Sequence, residues 1–564
     1  MEDIYKLRPF KIRNADEFDL SQILKLFISP FEGLSTPFDL ENNIIKGRMG
    51  SGKTMYLRAN YAYYLYSIVP KLIENEQLII PIFIRLNDFQ QITEPSEIYR
   101  AIIIKIIEEF TSIYINLKDS DKMAQIHLGF KALPEDLLSS QKISTSLRTL
   151  IKLGAKEYVE KISVELGFKG GIQPKFIELS SQYKNSRLIE VKEKINPGIK
   201  DINEIYELLL KERNGKILLL IDEAGSLDKK FFKGKDAPSF FEIIMNQFRT
   251  SDYIRTKIAI YPNSFQDILT ETRYGDAIVL EENVTDHEGY KEFRKKALAI
   301  INNYLNQFDD SHIQPNQVFD INEKEEYGDS IEQIINASNG NMRRLMQLLD
   351  TTMEEAYSDH TGSGLIQLSH VNSALIKHSA SLETIYTEPD REFLKTIATA
   401  CKSRSTFKFQ LPHMSIALNK YLSRSQEYNL LNIIEIGAGR KGTTYAFDYC
   451  YCVTHDIPTH YLTGSERINR DRSLKDGRWA SRITKLSEEI LQHASTTYKI
   501  EGNIEYIGQK GGGFIMGDDN QQYYFSPDSI IEEDLYKPLF QGRRVRFAPM
   551  KFGDTISAYA IEIL

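Results

Sequence analysis

The chain has 564 residues and a mass of 65.0 kDa, which at roughly 100–200 residues per domain predicts three or four domains. Apolar residues make up 41% and charged residues 26%, with 31 Tyr and 29 Phe, a composition that excludes a disordered chain. The net charge of −8 excludes a uniformly basic nucleic-acid coat, and three cysteines exclude a disulfide scaffold. With no long apolar stretch and no secretory pattern, we expect a cytoplasmic protein without a membrane span.

The first 285 residues alternate predicted strands with predicted helices. A short apolar strand at 43–46 precedes a glycine-rich turn and a helical run, and a second strand follows at 78–86. The run KILLLI at 216–221 and the segment 257–261 are typical of buried strands. Strands that alternate with helices predict a doubly wound α/β sheet. Residues 111–200 lack this strand pattern, and we expect a helical insertion there.

Beyond residue 285 the pattern changes. Residues 286–385 show helical periodicity only, and residues 386–462 combine helices with two strands that flank the run GAGRKG at 437–442. The second of these strands is expected to contain Cys450 and Cys452. Residues 463–496 are polar and basic at first and predict a linker followed by a helix near residues 480–493. Residues 497–564 are rich in glycine and aromatic residues and predict alternating strands in an all-β domain.

Charge is distributed unevenly along the chain. The window 390–480 has about 14 Lys and Arg against 9 Asp and Glu, so it carries about +5 while the rest carries about −13. A basic segment in an acidic chain indicates an anionic partner, and an ordinary solvated surface is the alternative.

A phosphate-binding pattern follows the first predicted strand. Residues 47–54, GRMGSGKT, fit GxxxxGK[ST] between a strand and a helix. The glycines let backbone N–H groups face nucleotide phosphates, the lysine reaches the β- and γ-phosphates, and the hydroxyl is a ligand of Mg²⁺. A structural glycine turn is the alternative. The candidate nucleotide-binding residues are Gly47, Gly50, Ser51, Gly52, Lys53 and Thr54, with Thr54 also a metal ligand.

Two carboxylates end the buried strand at 216–221. Asp222 and Glu223 follow the run ILLLI, which places them at the sheet edge where ligands bind in open α/β folds. In a nucleotide site, Asp222 is the candidate ligand of Mg²⁺, and Glu223 is the candidate base that deprotonates the attacking water. Solvated acids at an ordinary strand end are the alternative.

These motifs resemble those of the AAA+ ATPases, and in particular the origin-recognition (initiator) type and its bacterial relatives. The resemblance also rests on YPNS at 261–264, after the next strand, and on GNMRRL at 340–345. It covers residues 30–380. It implies an α/β P-loop NTPase core over 1–285, a helical lid over 286–385, ATP and Mg²⁺ as cofactors, ATP hydrolysis, and a homo-oligomer or a protein partner.

The resemblance also implies roles for four further residues. Asn263 corresponds to the polar residue called sensor 1, although an asparagine after proline is also ordinary turn chemistry. Arg343, the first arginine of GNMRR, corresponds to sensor 2 in the lid. AAA+ proteins often complete the site with an arginine from a neighbouring subunit, for which Arg273 is the candidate and Arg255 the competitor, and a surface ion pair is the alternative for both.

Two small domains are expected after the lid. Residues 386–462 resemble a winged helix, an α+β domain that initiator-type ATPases commonly carry, and the tip of its predicted hairpin contains Arg440 and Lys441. Adjacent cations at such a tip suit contacts with nucleic-acid phosphates, whereas winged helices also dock proteins.

Residues 497–564 resemble a cold-shock domain, a small OB-type barrel. The matching runs are GNIEYI at 502–507, KGGGFI at 510–515, YYFS at 523–526 and GRRVRF at 542–547. Two departures are Gly512, where a stacking phenylalanine is expected, and Glu505, where a lysine is usual. Such domains stack bases on exposed aromatic rings, and protein docking is the alternative. The candidate nucleic-acid contacts are Tyr506, Lys510, Phe514 and Tyr524.

The leading hypothesis is an ATP-hydrolysing switch that binds DNA or RNA through its winged-helix-like and cold-shock-like modules. Bacterial proteins with this resemblance often belong to mobile elements or anti-phage defence systems. The alternative is an oligomerising ATPase signalling scaffold whose C-terminal domains dock protein partners.

Overall fold

We describe a computed structural model of the chain. Of the segment from 93 to 213 the structure describes only scattered positions. Elsewhere it describes residues 2–31, 36–74, 76–92, 214–223, 240–260, 276–280, 284, 287–307, 313–321, 330–360, 364–412, 418–422, 429–437, 442–459, 483–487, 490–491, 499–508, 511–531, 534, 537–552 and 555–564. The predicted insertion at 111–200 lies outside these residues except for position 199.

The chain divides into two compact units. One comprises residues 12–282 and 292–313, and the other comprises residues 1–11, 283–291 and 314–564. In the part of the chain that the structure describes, no helix is both long and apolar enough to cross a lipid bilayer.

The first unit is built on a parallel five-stranded sheet with the strand order β2-β3-β4-β1-β5. All adjacent pairs are parallel. The sheet confirms the predicted doubly wound core, and each predicted strand is present with ends shifted by up to three residues. The strands are β1 (Asn43–Lys46), β2 (Ile79–Arg85), β3 (Lys216–Asp222), β4 (Ile254–Ile260) and β5 (Asp276–Val279).

Apolar side chains on both faces of this sheet explain why it forms. In β3, every residue from Ile217 to Ile221 is buried, as expected for a central parallel strand covered on both sides. Helices pack on it through a core that includes Leu57, Leu65 and Phe248. The helices of this unit include α2 (Leu20–Leu26), α3 (Lys53–Glu74) and α4 (Phe240–Arg249). Helix α1 (Glu2–Leu7) precedes them in the chain and belongs to the other unit.

Most described residues of the region 286–385 are helical, and a β-bridge between Phe319 and Ile366 lies between the helices. Its helices are α5 (His287–Leu305), α6 (Ser330–Ala337), α7 (Met342–His360) and α8 (Leu368–Glu383). A buried polar group joins α5 to α6: the Tyr290 hydroxyl donates to the Glu332 carboxylate and accepts a hydrogen bond from Asn336 Nδ2 at 2.8 Å.

The region after α8 is an α+β domain with a four-stranded sheet in the order β7-β8-β6-β9. The hairpin of β7 and β8 confirms the two predicted strands, and residues 438–441 at its tip lie outside the described residues. The elements are α9 (Glu388–Ser403), β6 (Lys408–Leu411), α10 (Asn419–Leu422), β7 (Leu431–Glu435), β8 (Thr443–Phe447), α11 (Tyr449–Thr454) and β9 (Thr484–Lys485).

Two local predictions in this domain are wrong. Cys450 and Cys452 were expected in the second strand but lie in helix α11, because the Asp448 carboxylate caps the helix by accepting hydrogen bonds from backbone N–H groups of its first turn. Thr484 was expected in a helix but pairs as a strand with Phe409, because the edge of β6 offers unpaired backbone groups.

A buried ion pair fastens helix α7 to this domain. The two terminal nitrogens of Arg344 donate to the two carboxylate oxygens of Asp448 at 2.6 and 2.8 Å, and both side chains are almost completely buried. Removing one partner of such a pair typically costs about 3–5 kcal/mol because the other charge is left buried. The first turn of α7 and the start of α11 are therefore held together.

The C-terminal residues form a closed five-stranded barrel in the order β10-β11-β12-β14-β13. Ile504, Ile515, Phe525 and Phe547 are among the side chains that fill its interior. This confirms the predicted all-β block and its closed-barrel class. The strands are β10 (Ile500–Ile507), β11 (Gly513–Gly517), β12 (Gln522–Phe525), β13 (Arg544–Phe552) and β14 (Thr555–Ile563).

Candidate functional site

The carboxyl edge of the parallel sheet gathers the residues that the motifs single out. Because all five strands are parallel, the loop after β1 and the last residue of β3 reach the same edge, with only β4 between them. This is the edge at which open α/β sheets bind ligands.

The loop from Gly47 to Gly52 needs its glycines for two different reasons. Gly50 and Gly52 have φ angles of 81° and 95°, which side chains other than glycine rarely adopt. A Cβ on Gly47 would lie 2.2 Å from Ser51 Oγ, so this glycine allows the loop to close on itself. The glycine pattern therefore encodes the loop shape.

Lys53 begins helix α3 and is only 5% exposed. Its Nζ donates to the backbone oxygens of Gly47 at 2.6 Å and Arg48 at 2.8 Å. The ammonium group is thus already directed into the concave side of the loop, where the phosphates of a nucleotide bind in this motif.

Thr54 connects the loop to strand β3. Its hydroxyl donates a 2.7 Å hydrogen bond to Asp222 Oδ2, although the two residues are 168 positions apart. The predicted hydroxyl and carboxylate ligands of Mg²⁺ are therefore adjacent. This contact is the strongest geometric sign that the two motifs form one site.

The two acids after β3 lie in an environment that disfavours their charge. Asp222 is 3% exposed, and burial raises its pKa despite hydrogen bonds from Thr54 and from the Glu223 backbone N–H at 2.8 Å. Burial and the neighbouring Asp222 carboxylate raise the pKa of Glu223. A cation between the two groups would relieve this cost, as expected for residues that hold a metal ion and a water molecule.

Glu223 adopts a left-handed backbone conformation with a φ angle of 56°. For a residue with a side chain this typically costs about 1–3 kcal/mol, and such positions concentrate at functional sites. The turn directs the Glu223 backbone N–H onto Asp222 Oδ1. The candidate base therefore leaves the strand at a sharp angle immediately after the candidate metal ligand.

One arginine at this edge was missed by the sequence analysis. Arg85 ends β2 and pairs in register with Asp222 on β3. Arg85 forms a 2.5 Å ion pair with Asp16. Arg58 of helix α3 donates hydrogen bonds to the backbone oxygens of Ala15 and Phe18, close to Asp16 in the chain. No motif marks Arg85, because its place depends on the register between β2 and β3.

The residues at this edge fit a magnesium nucleotide. Ser51 Oγ is buried and has no hydrogen-bond partner among the described atoms, although it faces the loop that would enclose phosphates. No cluster of three or more His, Cys, Asp or Glu that could hold a metal occurs in the described ranges. One carboxylate and one hydroxyl suit Mg²⁺, which usually completes its coordination with waters and substrate phosphates.

The structure does not bring every predicted residue to the site. Asn263 and Arg273 lie outside the described residues and stay predictions. Arg255 lies at the amino end of β4, opposite the loop, and donates to the backbone oxygen of Ile254 at 2.8 Å. Arg343 is the second residue of α7 and lies in the other unit. The next residue of GNMRR, Arg344, is buried in an ion pair with Asp448. Of the two arginines, Arg343 therefore stays the candidate for the sensor role.

The barrel brings three predicted contacts together in one row. Tyr506 on β10 pairs with Phe514 on β11, and Phe514 pairs with Tyr524 on β12. Their exposed fractions are 57%, 36% and 45%, and the Phe514 and Tyr524 ring centroids are 5.8 Å apart in an edge-to-face arrangement. We call these three residues the aromatic row. Lys510, Arg440 and Lys441 lie outside the described residues.

Comparison with known proteins agrees with the motifs. The sequence model of the ORC-CDC6-like family matches residues 8–233, which contain the glycine-rich loop, Asp222 and Glu223. This part of the chain is similar to the ORC-CDC6-like family. The matched segment includes both halves of the site that the hydrogen bond between Thr54 and Asp222 joins. No curated protein matches the chain.

Two solved structures are similar to this chain. The Aeropyrum pernix ORC2 protein, solved in ADPNP-ADP complexes, has 10% identity and a TM-score of 0.30, with 82% of this chain and 95% of that chain covered. Drosophila ORC bound to DNA has 11% identity and a TM-score of 0.29, with 70% of this chain and 76% of that chain covered.

We predict that Lys53→Ala prevents ATP hydrolysis and lowers ATP affinity roughly 10- to 100-fold, since hydrogen bonds to charged groups contribute about 1.5–3 kcal/mol. Isothermal titration with ATP and Mg²⁺ measures the affinity, and thermal unfolding checks that the fold is retained. Lys71→Ala, in the last turn of the same helix, is the control and should bind as the parent does. Near-normal hydrolysis by the Lys53 variant would contradict the site.

Proposed function

We propose that the protein is an ATP-hydrolysing AAA+ switch of the initiator type that binds nucleic acid through its C-terminal domains. The observation that carries the ATPase part is the 2.7 Å hydrogen bond between Thr54 and Asp222, beside the buried Lys53. The ORC-CDC6-like match over residues 8–233 supports the same class.

The residues at the sheet edge have distinct roles in this proposal. Lys53 exchanges its bonds to the Gly47 and Arg48 backbone oxygens for bonds to the β- and γ-phosphates. Thr54 and Asp222 hold Mg²⁺, which when bound neutralises developing charge on the phosphates. Glu223 accepts a proton from the attacking water as the general base.

The aromatic row supports the nucleic-acid part of the proposal. Exposed rings on adjacent strands of a barrel offer faces on which unpaired bases can stack, at about 1–3 kcal/mol per base. A duplex cannot use the row in this way because its base faces are covered by neighbouring bases. The barrel is therefore proposed to bind single strands.

The hairpin of β7 and β8 is proposed as a second contact, in a winged-helix-like domain. The strands bring residues 437 and 442 to the two sides of a tip that carries Arg440 and Lys441 in the sequence. Cations at a hairpin tip bind phosphates, which positions a protein on nucleic acid without reading its sequence.

One experiment separates this function from the protein-docking alternative. We expect the steady-state ATPase rate to change when DNA or RNA is added, and the particle mass to change when ATP is added. Nucleic acid that neither binds at low salt nor alters the ATPase rate would contradict the nucleic-acid part. In that case an ATP-dependent change in mass would favour an oligomerising scaffold.

We predict that Glu223→Gln binds ATP but hydrolyses it roughly 10²- to 10⁴-fold more slowly, the usual cost of losing a general base. The amide keeps the shape of the side chain but cannot take a proton from water, and Lys53 and the loop are unchanged. Single-turnover hydrolysis and ATP titration measure the two quantities. Unaltered turnover would show that Glu223 is not the base.

We predict that the double change of Arg440 and Lys441 to Ala weakens binding similarly on unrelated sequences. It should reduce the slope of log affinity against log salt by up to about two charges' worth, because phosphate contacts release counterions. Fluorescence anisotropy at several salt concentrations, on duplex probes of different sequence, measures the slope. An unchanged slope would favour protein docking by this domain.

We predict that replacing Tyr506, Phe514 and Tyr524 by Ala weakens binding to single strands more than binding to duplex. Each lost stack should cost about 1–3 kcal/mol with an open strand. Phe540→Ala is the matched control, because Phe540 is 50% exposed on the same barrel but packs against Arg543 rather than belonging to the row. Equal losses on both probes would contradict a stacking role.

A further inference from the structure

A β-bulge places an acidic side chain beside the aromatic row. Along β10, Ile504 pairs with Ile515 and Tyr506 pairs with Phe514, so the two residues 505 and 506 oppose one residue of β11. Glu505 and Tyr506 are consequently both exposed, although consecutive strand residues normally face opposite sides. Bulges commonly redirect a side chain in this way next to a binding site.

Glu505 reaches across the middle strand of the row. Its carboxylate accepts a 2.6 Å hydrogen bond from the Gln522 side-chain amide on β12, while β11 lies between β10 and β12. Gln522 is two residues before Tyr524 and faces outward like it. The pair therefore crosses the outer face of β11, the face on which Phe514 also lies.

The hydrogen bond determines what this pair offers a ligand. An ionised carboxylate only accepts hydrogen bonds, so the Gln522 nitrogen must be the donor and its carbonyl oxygen remains an acceptor. The second Glu505 oxygen and the Gln522 carbonyl oxygen thus present acceptors beside the stacking surface. A ligand that fits must supply donors at the edge of a flat ring.

Two arginines of the described barrel, Arg544 and Arg546, are committed to carboxylates of the barrel itself. Arg544 pairs with Asp518 and with Glu501, and Arg546 pairs with Glu501 at 2.7 Å. These pairs hold the pKa values of the Glu501 and Asp518 carboxyls below their usual range. The Glu505 carboxylate beside the row repels phosphate groups. A single-stranded nucleic acid must therefore present its bases to the row and turn its phosphate backbone away.

We propose that Glu505 and Gln522 make the aromatic row prefer unpaired bases that carry exocyclic amino groups, guanine above all, over thymine and uracil. This inference rests on the proposed binding of single strands by the row. Guanine presents a ring N–H and an amino N–H side by side, which match two acceptor atoms. Adenine and cytosine present an amino group next to a ring acceptor, whereas the single N–H of thymine or uracil lies between two carbonyl oxygens that a carboxylate repels.

The test uses the full chain and two labelled strands of about eight nucleotides, within the usual range for one OB-type barrel. One strand contains thymine only, and the other has two adjacent guanines at its centre. By fluorescence anisotropy, we expect the guanine strand to bind the parent protein about tenfold more tightly, the factor that a good contact to a base edge gives.

Variants identify the source of the preference. Glu505→Gln should reduce the guanine-to-thymine affinity ratio to near one, because an amide nitrogen that donates replaces one carboxylate oxygen, and the pair then no longer offers two acceptors to the base. Asp518→Asn is the matched control: it removes the same charge from the same barrel, at the pair with Arg544, and should leave the ratio unchanged. Thermal unfolding of each variant checks that the barrel is intact.

The outcomes distinguish this inference from the proposed function. If both strands bind and both lose affinity when the aromatic row is replaced, but the ratio is near one or Glu505→Gln leaves it unchanged, the base preference is wrong and the stacking role stands. If replacing the row alters binding to neither strand, the stacking role itself is wrong and the preference fails with it.

Discussion

The hydrogen bond from Thr54 to Asp222 is the contact on which this account depends. It joins the loop after β1 to the end of β3 across 168 positions of sequence. The contact is possible because the sheet is parallel and only β4 separates the two strands. Around it lie the buried ammonium of Lys53, the unpartnered hydroxyl of Ser51 and the left-handed turn at Glu223. Each of these features has a physical explanation if the edge binds a magnesium nucleotide.

The sequence predicts the parts of this site that depend on local rules. Three such patterns are visible in the sequence: glycines with positive φ angles, a lysine at the start of a helix, and a buried strand that ends in two acids. Arg85 is not, because its place beside Asp222 depends on the register of two strands and on a distant acid, Asp16. The strand at Thr484 is also not predictable from the sequence, because it forms only by pairing with β6.

In the second unit, three described arginines are bound by carboxylates of the same unit. Arg344 is buried against Asp448, and the barrel arginines Arg544 and Arg546 bind barrel carboxylates. The barrel therefore offers a ligand ring faces and acceptor atoms rather than these cations. The aromatic residues were visible in the sequence, but the bulge that brings Glu505 to the same face was not, because it appears only in the pairing of β10 with β11. Phosphate contacts are correspondingly proposed for the hairpin and base contacts for the barrel.

The most direct measurement of the central claim is a double-mutant cycle on Thr54 and Asp222. ATP is titrated calorimetrically with Mg²⁺ and with a chelator, using the parent, Thr54→Val, Asp222→Asn and the double variant. We predict that Mg²⁺ strengthens binding to the parent, that each single change removes most of that gain, and that the double variant loses little more, because residues sharing one ligand are not additive. Fully additive losses, or ATP binding to the parent that does not depend on Mg²⁺, would contradict a single site formed by the two motifs.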